Sequence, residues 1–477
     1  MRILENIQPE RVFYYFEELS AIPRGSGNEA GAADFVEGFA KARGLFCVRD
    51  KNNNVFIRKP AAAGHENAPA VILQGHMDMV CEKNSGTVHD FEKDGIKLIL
   101  DGDTISADGT TLGADDGVAV AIMMAILEDD DAVHGPLECL FTTEEETGLG
   151  GMKAFDKSLV RAKYMLNLDS EDDDRATVSC AGGVRTDFEF NDMPYEKRQG
   201  KVTMTVSGLM GGHSGADIAF GRANAIKAAF SLISGLENVR LIEVNGGSKD
   251  NAIPRECTIV FTCDDAISAP SILAENASDI RDTLTKDDSS FRLDAKYTAG
   301  VCHAFAEKYS RGIITLVNSL PYGPLGMCED VPGLVETSSN PGIIKTDGAS
   351  VKITSSSRSS VSDKLDGVIE SLDSLAAHTG ATKITHRDRY PGWDVTKNSK
   401  LQAIYKDAYR DLFGEEPKIV GIHAGLECGL IKEAIPDLDI ISTGPNAKDI
   451  HTPDETLSVK STEKIYKLTR EILNRLS

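Results

Sequence analysis

No stretch of this chain approaches the roughly 18 consecutive apolar residues of a membrane span. The opening MRILENIQPERVFYYFEEL has no apolar run followed by a small-residue cleavage site, so no signal peptide is expected. Cysteine is sparse: the nine cysteines are odd in number, scattered, and never spaced as C-x-x-C. That argues against a disulfide framework and a thiolate zinc site, and suits a reducing cytoplasm. Basic side chains number 51 against 74 acidic ones, giving a formal net charge of −23. Such a balance opposes binding to nucleic acid or anionic membranes. There is no G-x-S-x-G elbow, no cysteine in a reactive motif and no G-x-x-x-x-G-K-[ST] loop. Serine and cysteine hydrolases and P-loop nucleotide enzymes are thereby set aside.

What is present is a long chain with ordinary composition. Its 477 residues suffice for two or three domains and a large core. Periodicity predicts amphipathic helices over 9–22 and 28–43, strands at 55–59 and 70–75, and a helix apolar on nearly every side at 117–128. Two further apolar strands, in 136–146 and 162–172, run directly into acids. Strands alternating with helices, with polar residues gathered after the strand ends, predict a three-layer α/β/α domain. In such sheets ligands bind outside the carboxyl ends of the strands.

From about 184 to 386 the texture becomes half-exposed strands and helices. A comparable order occurs twice, which suggests two α+β units in tandem. Helix, strand and buried-strand signals then return after 398. The expected organisation is an α/β domain at 1–184, an inserted α+β domain at 185–387, and completion of the first domain by 388–477.

The chemistry gathers at the strand ends. In a strand, residues i and i+2 share a face, so His76 and Asp78 of LQGHMDMV project together. Alone, they read equally well as a polar terminus facing water. TTLGADDG sets Asp115 and Asp116 before the apolar helix, where an aspartate is commonly an N-cap. Two adjacent acids there are nonetheless costly unless something positive is near. FTTEEETG closes a strand with three glutamates whose mutual repulsion disfavours ionisation unless a cation collects them. LNLDSE adds Asp169, and DIHTPDE adds His451 far along the chain. Imidazole plus carboxylate without thiolate suits zinc, manganese or cobalt. Two such ions about 3.5–4 Å apart can share one carboxylate and activate a water between them.

GHMDMV, LGADDG, TTEEETG, LDSE and DIHTPDE, in this order along the whole chain, resemble the co-catalytic zinc metallopeptidases that include aminoacylase, glutamate carboxypeptidase and the dipeptidases. GLMGGHSG, NAIP and HAGLECG resemble in particular the aminoacyl-histidine dipeptidase branch. That branch often has Asp-Asn where this chain has Asp115-Asp116. The resemblance implies that His76 and Asp169 hold one ion and Glu146 and His451 the other, with Asp115 bridging. It implies Asp78 behind His76, fixing its tautomer, and Glu145 as general base. Spacing alone does not choose among Glu144, Glu145 and Glu146.

By the same resemblance the insertion is a lid and dimerisation domain. Its His213 would polarise the scissile carbonyl, and Asn251 and Arg358 would hold the substrate's C-terminal carboxylate. Glu427 would meet its free amine, and His423 would act there or pack beneath the site. Without the resemblance, His213 reads as a glycine-turn histidine and Arg358 as a solvated strand arginine. The implied activity is metal-dependent hydrolysis of Xaa-His dipeptides in the cytoplasm by an enzyme that forms a homodimer. A broader di- and tripeptidase or an N-acyl amino acid deacylase is the alternative.

Overall fold

The computed structural model describes residues 2–477, which divide into two compact units. The first comprises Met1–Ser179, Val395–Gly421 and Leu426–Ser477, and the second Cys180–Asp394 with Ile422–Gly425. The segment that follows Gly421 thus donates four residues, His423 among them, to the second unit.

The first unit is built on an eight-stranded sheet in the order Phe46–Arg49, Val55–Lys59, Leu137–Thr142, Val71–His76, Tyr164–Asn167, Asp439–Ser442, Arg175–Cys180, Lys418–Ile422. Its middle strands, Leu137–Thr142, Val71–His76, Tyr164–Asn167 and Asp439–Ser442, run parallel. Val71–His76 and Leu137–Thr142 are buried at every position, as strands covered on both faces must be. Helix Ala114–Glu128 is buried from Asp116 through Leu127, which accounts for its all-round apolar sequence. It packs directly on Val71–His76 because Gly75 has no side chain. A Cβ there would lie 2.5 Å from Asp116 Oδ2 and 2.7 Å from the Ala119 Cβ. Because the middle strands are parallel, their carboxyl ends lie side by side and deliver the sequence motifs to one edge.

The second unit carries a nine-stranded antiparallel sheet. Phe188, Phe230, Phe261 and Ile353 belong to one apolar core, shared with helices Ala225–Ile233, Ala269–Thr283, Glu307–Ser319 and Ser362–Thr379. The strands of the two expected tandem segments interleave in this one sheet: Gly182–Phe190 pairs with both Ser350–Ser359 and Lys383–Tyr390. On Ser350–Ser359, Val351 and Ile353 face the core, so Ser356 and Arg358 face the other way. Arg358 lies opposite Ser338 and Gly183, and Ser356 opposite Asn340 and Arg185, which makes that face polar and cationic.

Candidate active site

His76 ends the strand Val71–His76. Its Nδ1 lies 3.2 Å from the carbonyl oxygen and 3.4 Å from Oδ1 of Asp78. With both neighbours acceptors, Nδ1 carries a proton, and Nε2 is the ring atom turned toward the other carboxylates. That Nε2 sits 3.0 Å from Asp115 Oδ1 and 3.7 Å from Asp169 Oδ1. The other oxygen of Asp115, Oδ2, lies 3.2 Å from His451 Nε2, which is 2.9 Å from Glu146 Oε1. Asp115 therefore faces a different histidine with each oxygen. Asp115 is thus common to the two histidines, and the ligand atoms gather as His76 with Asp116 and Asp169, His76 with Glu145 and Glu146, and Asp115 with Glu146 and His451.

Asp78 does more than hold His76. Its Oδ1 accepts the backbone N–H of Glu145 (3.1 Å), and its Oδ2 accepts those of Glu146 (3.3 Å) and the Ser26 hydroxyl (2.8 Å). One buried carboxylate thus sets the register of the glutamate run against His76. The three glutamates diverge. Glu144 has a positive φ of 51° and its N–H donates to Glu29, while Glu146 reaches His451. Glu145 brings a carboxylate oxygen within 4.8 Å of donor atoms of both His76 and Glu146. His451 also has a positive φ, 62°, an uncommon backbone for a non-glycine residue that clusters at functional sites.

The electrostatics show how strongly the carboxylates dominate here. Burial opposes charge on His76, yet Asp169, Asp115 and Asp78 raise its pKa well above the ordinary value. Hydrogen bonds to Asp115 and Glu146 raise His451 to about 10. Burial, then repulsion from Asp116, Asp115 and Glu145, pushes Asp169 up. Burial does the same for Glu145, which reaches about 8 with Glu427, Glu146 and Asp115 adding to it. A site that draws protons onto imidazoles and carboxylates alike has an excess of negative charge. Two imidazole Nε2 atoms turned toward three carboxylates fit a pair of divalent cations bound by oxygen and nitrogen, whose positive charge would take the place of those protons.

The remaining expected residues fall in two places. Glu427, in the first unit, is fully buried. Its Oε2 accepts hydrogen bonds from Gln74 Nε2 (2.5 Å) and Thr142 (2.6 Å), while Oε1 has no partner. In the second unit, His213 pairs with Ala252 in a two-strand ribbon that joins the GGH and NAI motifs. The Asn251 carbonyl accepts the Ser214 N–H at 2.8 Å. Arg358 is buried and donates from Nη1 to the Tyr390 hydroxyl at 2.8 Å. His423 shares a 2.7 Å hydrogen bond with Ser338, and burial, with Arg358 and His213 nearby, lowers its pKa to about 4. It is a neutral, packed imidazole of that unit. The sequence reading does not single out Arg24, Ser26, Tyr390 or Glu455. Only Glu455 had a signal, its place at the end of DIHTPDE.

The family described as Peptidase family M20/M25/M40 matches residues 72–475. The chain belongs to this family. Among its relatives is a protein of Escherichia coli K12 named cytosol non-specific dipeptidase, 36% identical over 487 aligned positions covering 100% of this chain and 99% of the relative. The crystal structure of aminoacylhistidine dipeptidase from Vibrio alginolyticus superposes with a TM-score of 0.93 at 34% identity, covering 99% of this chain and 98% of that one. Aminopeptidase PepT from Bacillus cereus, at 18% identity and a TM-score of 0.57 over 98% and 99% of the two chains, shares the fold. The expected α/β fold with an inserted α+β unit is that of the M20 family, and the protein is a metallopeptidase that hydrolyses peptide bonds. Among the described residues no helix is long and apolar enough to cross a membrane.

Proposed function

We propose that the protein is a two-cation dipeptidase with a preference for Xaa-His substrates such as β-alanyl-histidine, working in the cytoplasm. The observation that carries the two-cation reading is the division of Asp115 between His76 and His451. His76 and Asp169 would hold one ion and Glu146 and His451 the other, with Asp115 placed to serve both. Zinc is the first choice, with manganese and cobalt also suited to the donors. When bound, the ions supply Lewis acidity that polarises the scissile carbonyl and acidifies the attacking water.

The chain's own residues do the rest. Asp78 keeps the His76 proton on Nδ1. Glu145 takes a proton from the attacking water and returns it to the leaving amine. His213 donates from Nε2 to the oxyanion that develops on the carbonyl. Arg358 and Asn251 receive the C-terminal carboxylate, and Glu427 remains the candidate for the substrate's amine. The second unit serves as lid and dimer surface.

The Vibrio structure's name favours Xaa-His specificity, and the Escherichia coli relative's name favours a broader dipeptidase. A panel of Xaa-His dipeptides, other dipeptides, tripeptides and N-acetyl amino acids, assayed with and without chelator, separates these readings. Chelator-sensitive release of histidine from Xaa-His well above all other rates supports the first. Equal rates across dipeptides support the second, and activity on N-acetyl amino acids alone overturns both.

A further inference from the structure

Four consecutive backbone N–H groups converge on one buried carboxylate. Glu455 Oε2 accepts from Leu112 at 2.7 Å and Gly113 at 2.9 Å, and Oε1 from Ala114 at 2.8 Å and Asp115 at 3.3 Å. Glu455 is 2% exposed. Successive N–H groups of this kind form an anion-binding nest, and the protein fills it with its own side chain. From another direction the Gly113 carbonyl accepts a hydrogen bond from Arg24, which also donates to the carbonyls of Met77 (2.9 Å) and Asp78 (3.2 Å). Arg24 is 1% exposed. Burying two charges this deeply is costly, and neither group has a part in the chemistry proposed above.

What they share is the segment 112–115, which joins no sheet and ends at Asp115. Both oxygens of Asp115 must point at histidines delivered by distant stretches of chain, so the direction of this one side chain decides whether both histidines meet it. Glu455 follows His451 by four residues in the same motif. One short segment therefore supplies a histidine and also fixes the backbone that presents the shared aspartate to it. Arg24 ties that backbone to the strand end of His76.

We propose that Glu455 is a positioning residue for the cation pair, orienting Asp115 through the N–H groups of residues 112–115. This rests on Asp115 being the shared ligand. Glutamine at 455 has a single acceptor oxygen for four donors and turns an NH2 group toward the rest. Calorimetric titration of chelator-stripped Glu455→Gln with Zn²⁺ should therefore show both cations bound about 10–100-fold more weakly than in the wild type. A purely structural role would lower the melting temperature of the stripped protein and leave both affinities in the folded protein unchanged. Wild-type affinity for both ions, or weakening of only one, overturns the proposal. If the wild type itself binds fewer than two ions, the two-cation reading fails instead.

Should the variant not fold, hydrogen exchange of the stripped wild type decides. The amides of residues 112–115 should be protected to the degree of Val71–His76, and rapid exchange there overturns the proposal.

Discussion

The Nδ1 atom of His213 accepts the backbone N–H of Ala216 at 3.0 Å, and that of Gly215 at 3.2 Å. A nitrogen that accepts two N–H groups carries no proton, so the neutral ring holds its proton on Nε2. Burial, with Arg358 adding to it, lowers the pKa of this imidazole below its ordinary value, keeping it neutral at working pH. Nitrogen NMR of labelled protein at neutral pH should show the Nε2–H tautomer. His213→Ala should lower kcat by about 10²–10³, with both cations retained. A fall in metal content in place of kcat would assign His213 elsewhere.

Glu145 and Glu146 are adjacent in sequence, and the proposed mechanism gives them separate tasks. Glu145→Gln keeps the shape and the backbone bond to Asp78, and removes only the proton acceptor. It should retain two ions by elemental analysis while kcat falls by about 10²–10⁴. Glu146→Gln should instead lose an ion, because its carboxylate is the one that meets His451. If both variants lost metal equally and kcat followed occupancy, the assigned base would be wrong.

The convergence of these side chains was legible in part because strand alternation is local. His76 and Asp78 share a face by period two, and the glutamate run and Asp169 sit where apolar strands stop, whereas Asp115 and His451 were placed only by the resemblance. The clamps were not legible. Arg24 is a single arginine in a Gly-Ser loop, and its role consists of bonds to backbone carbonyls that no side-chain pattern encodes. Glu455 reads as one more acid in an acidic motif until the N–H groups of 112–115 are seen around it. The 14-residue strand Arg292–Phe305 begins with a clear alternation, Leu293, Ala295 and Tyr297 packing on the core between exposed polar residues, a period-two signal that the sequence reading passes over. The interleaving of Gly182–Phe190 between strands more than 150 residues later is a non-local pairing that periodicity does not carry.

Tyr390 sits in a slot left by two glycines. A Cβ on Gly183 would lie 2.7 Å from its hydroxyl oxygen, and one on Gly425 2.8 Å from its Cε2. The hydroxyl so placed takes the hydrogen bond from Arg358, whose Nε has no partner of its own. Tyr390→Phe removes that acceptor and lets the guanidinium drift. If Arg358 receives the substrate carboxylate, KM should rise several-fold with kcat within about twofold, since uniform binding is what is lost. Gly183→Ala should do the same by displacing the ring. An unchanged KM in both variants would remove Arg358 from the carboxylate site.

Glu427 links the site to the pH dependence of folding. Burial raises its pKa from 4.5 to about 7, with hydrogen bonds from Thr142 and Gln74 only partly opposing. The folded state then holds a proton between pH 4.5 and 7 that the unfolded chain has released. Stability is therefore fully present below the unfolded value and is lost as pH rises through the folded one. The loss amounts to about 3 kcal/mol for a shift of this size. In chelator-stripped protein, Glu427→Gln mimics the protonated acid and should flatten that fall. Urea midpoints measured from pH 4.5 to 8 should converge for the two proteins at the acid end and favour the variant above pH 7. Parallel curves would mean that Glu427 is ionised throughout, its free Oε1 satisfied by a positive charge even without the metals.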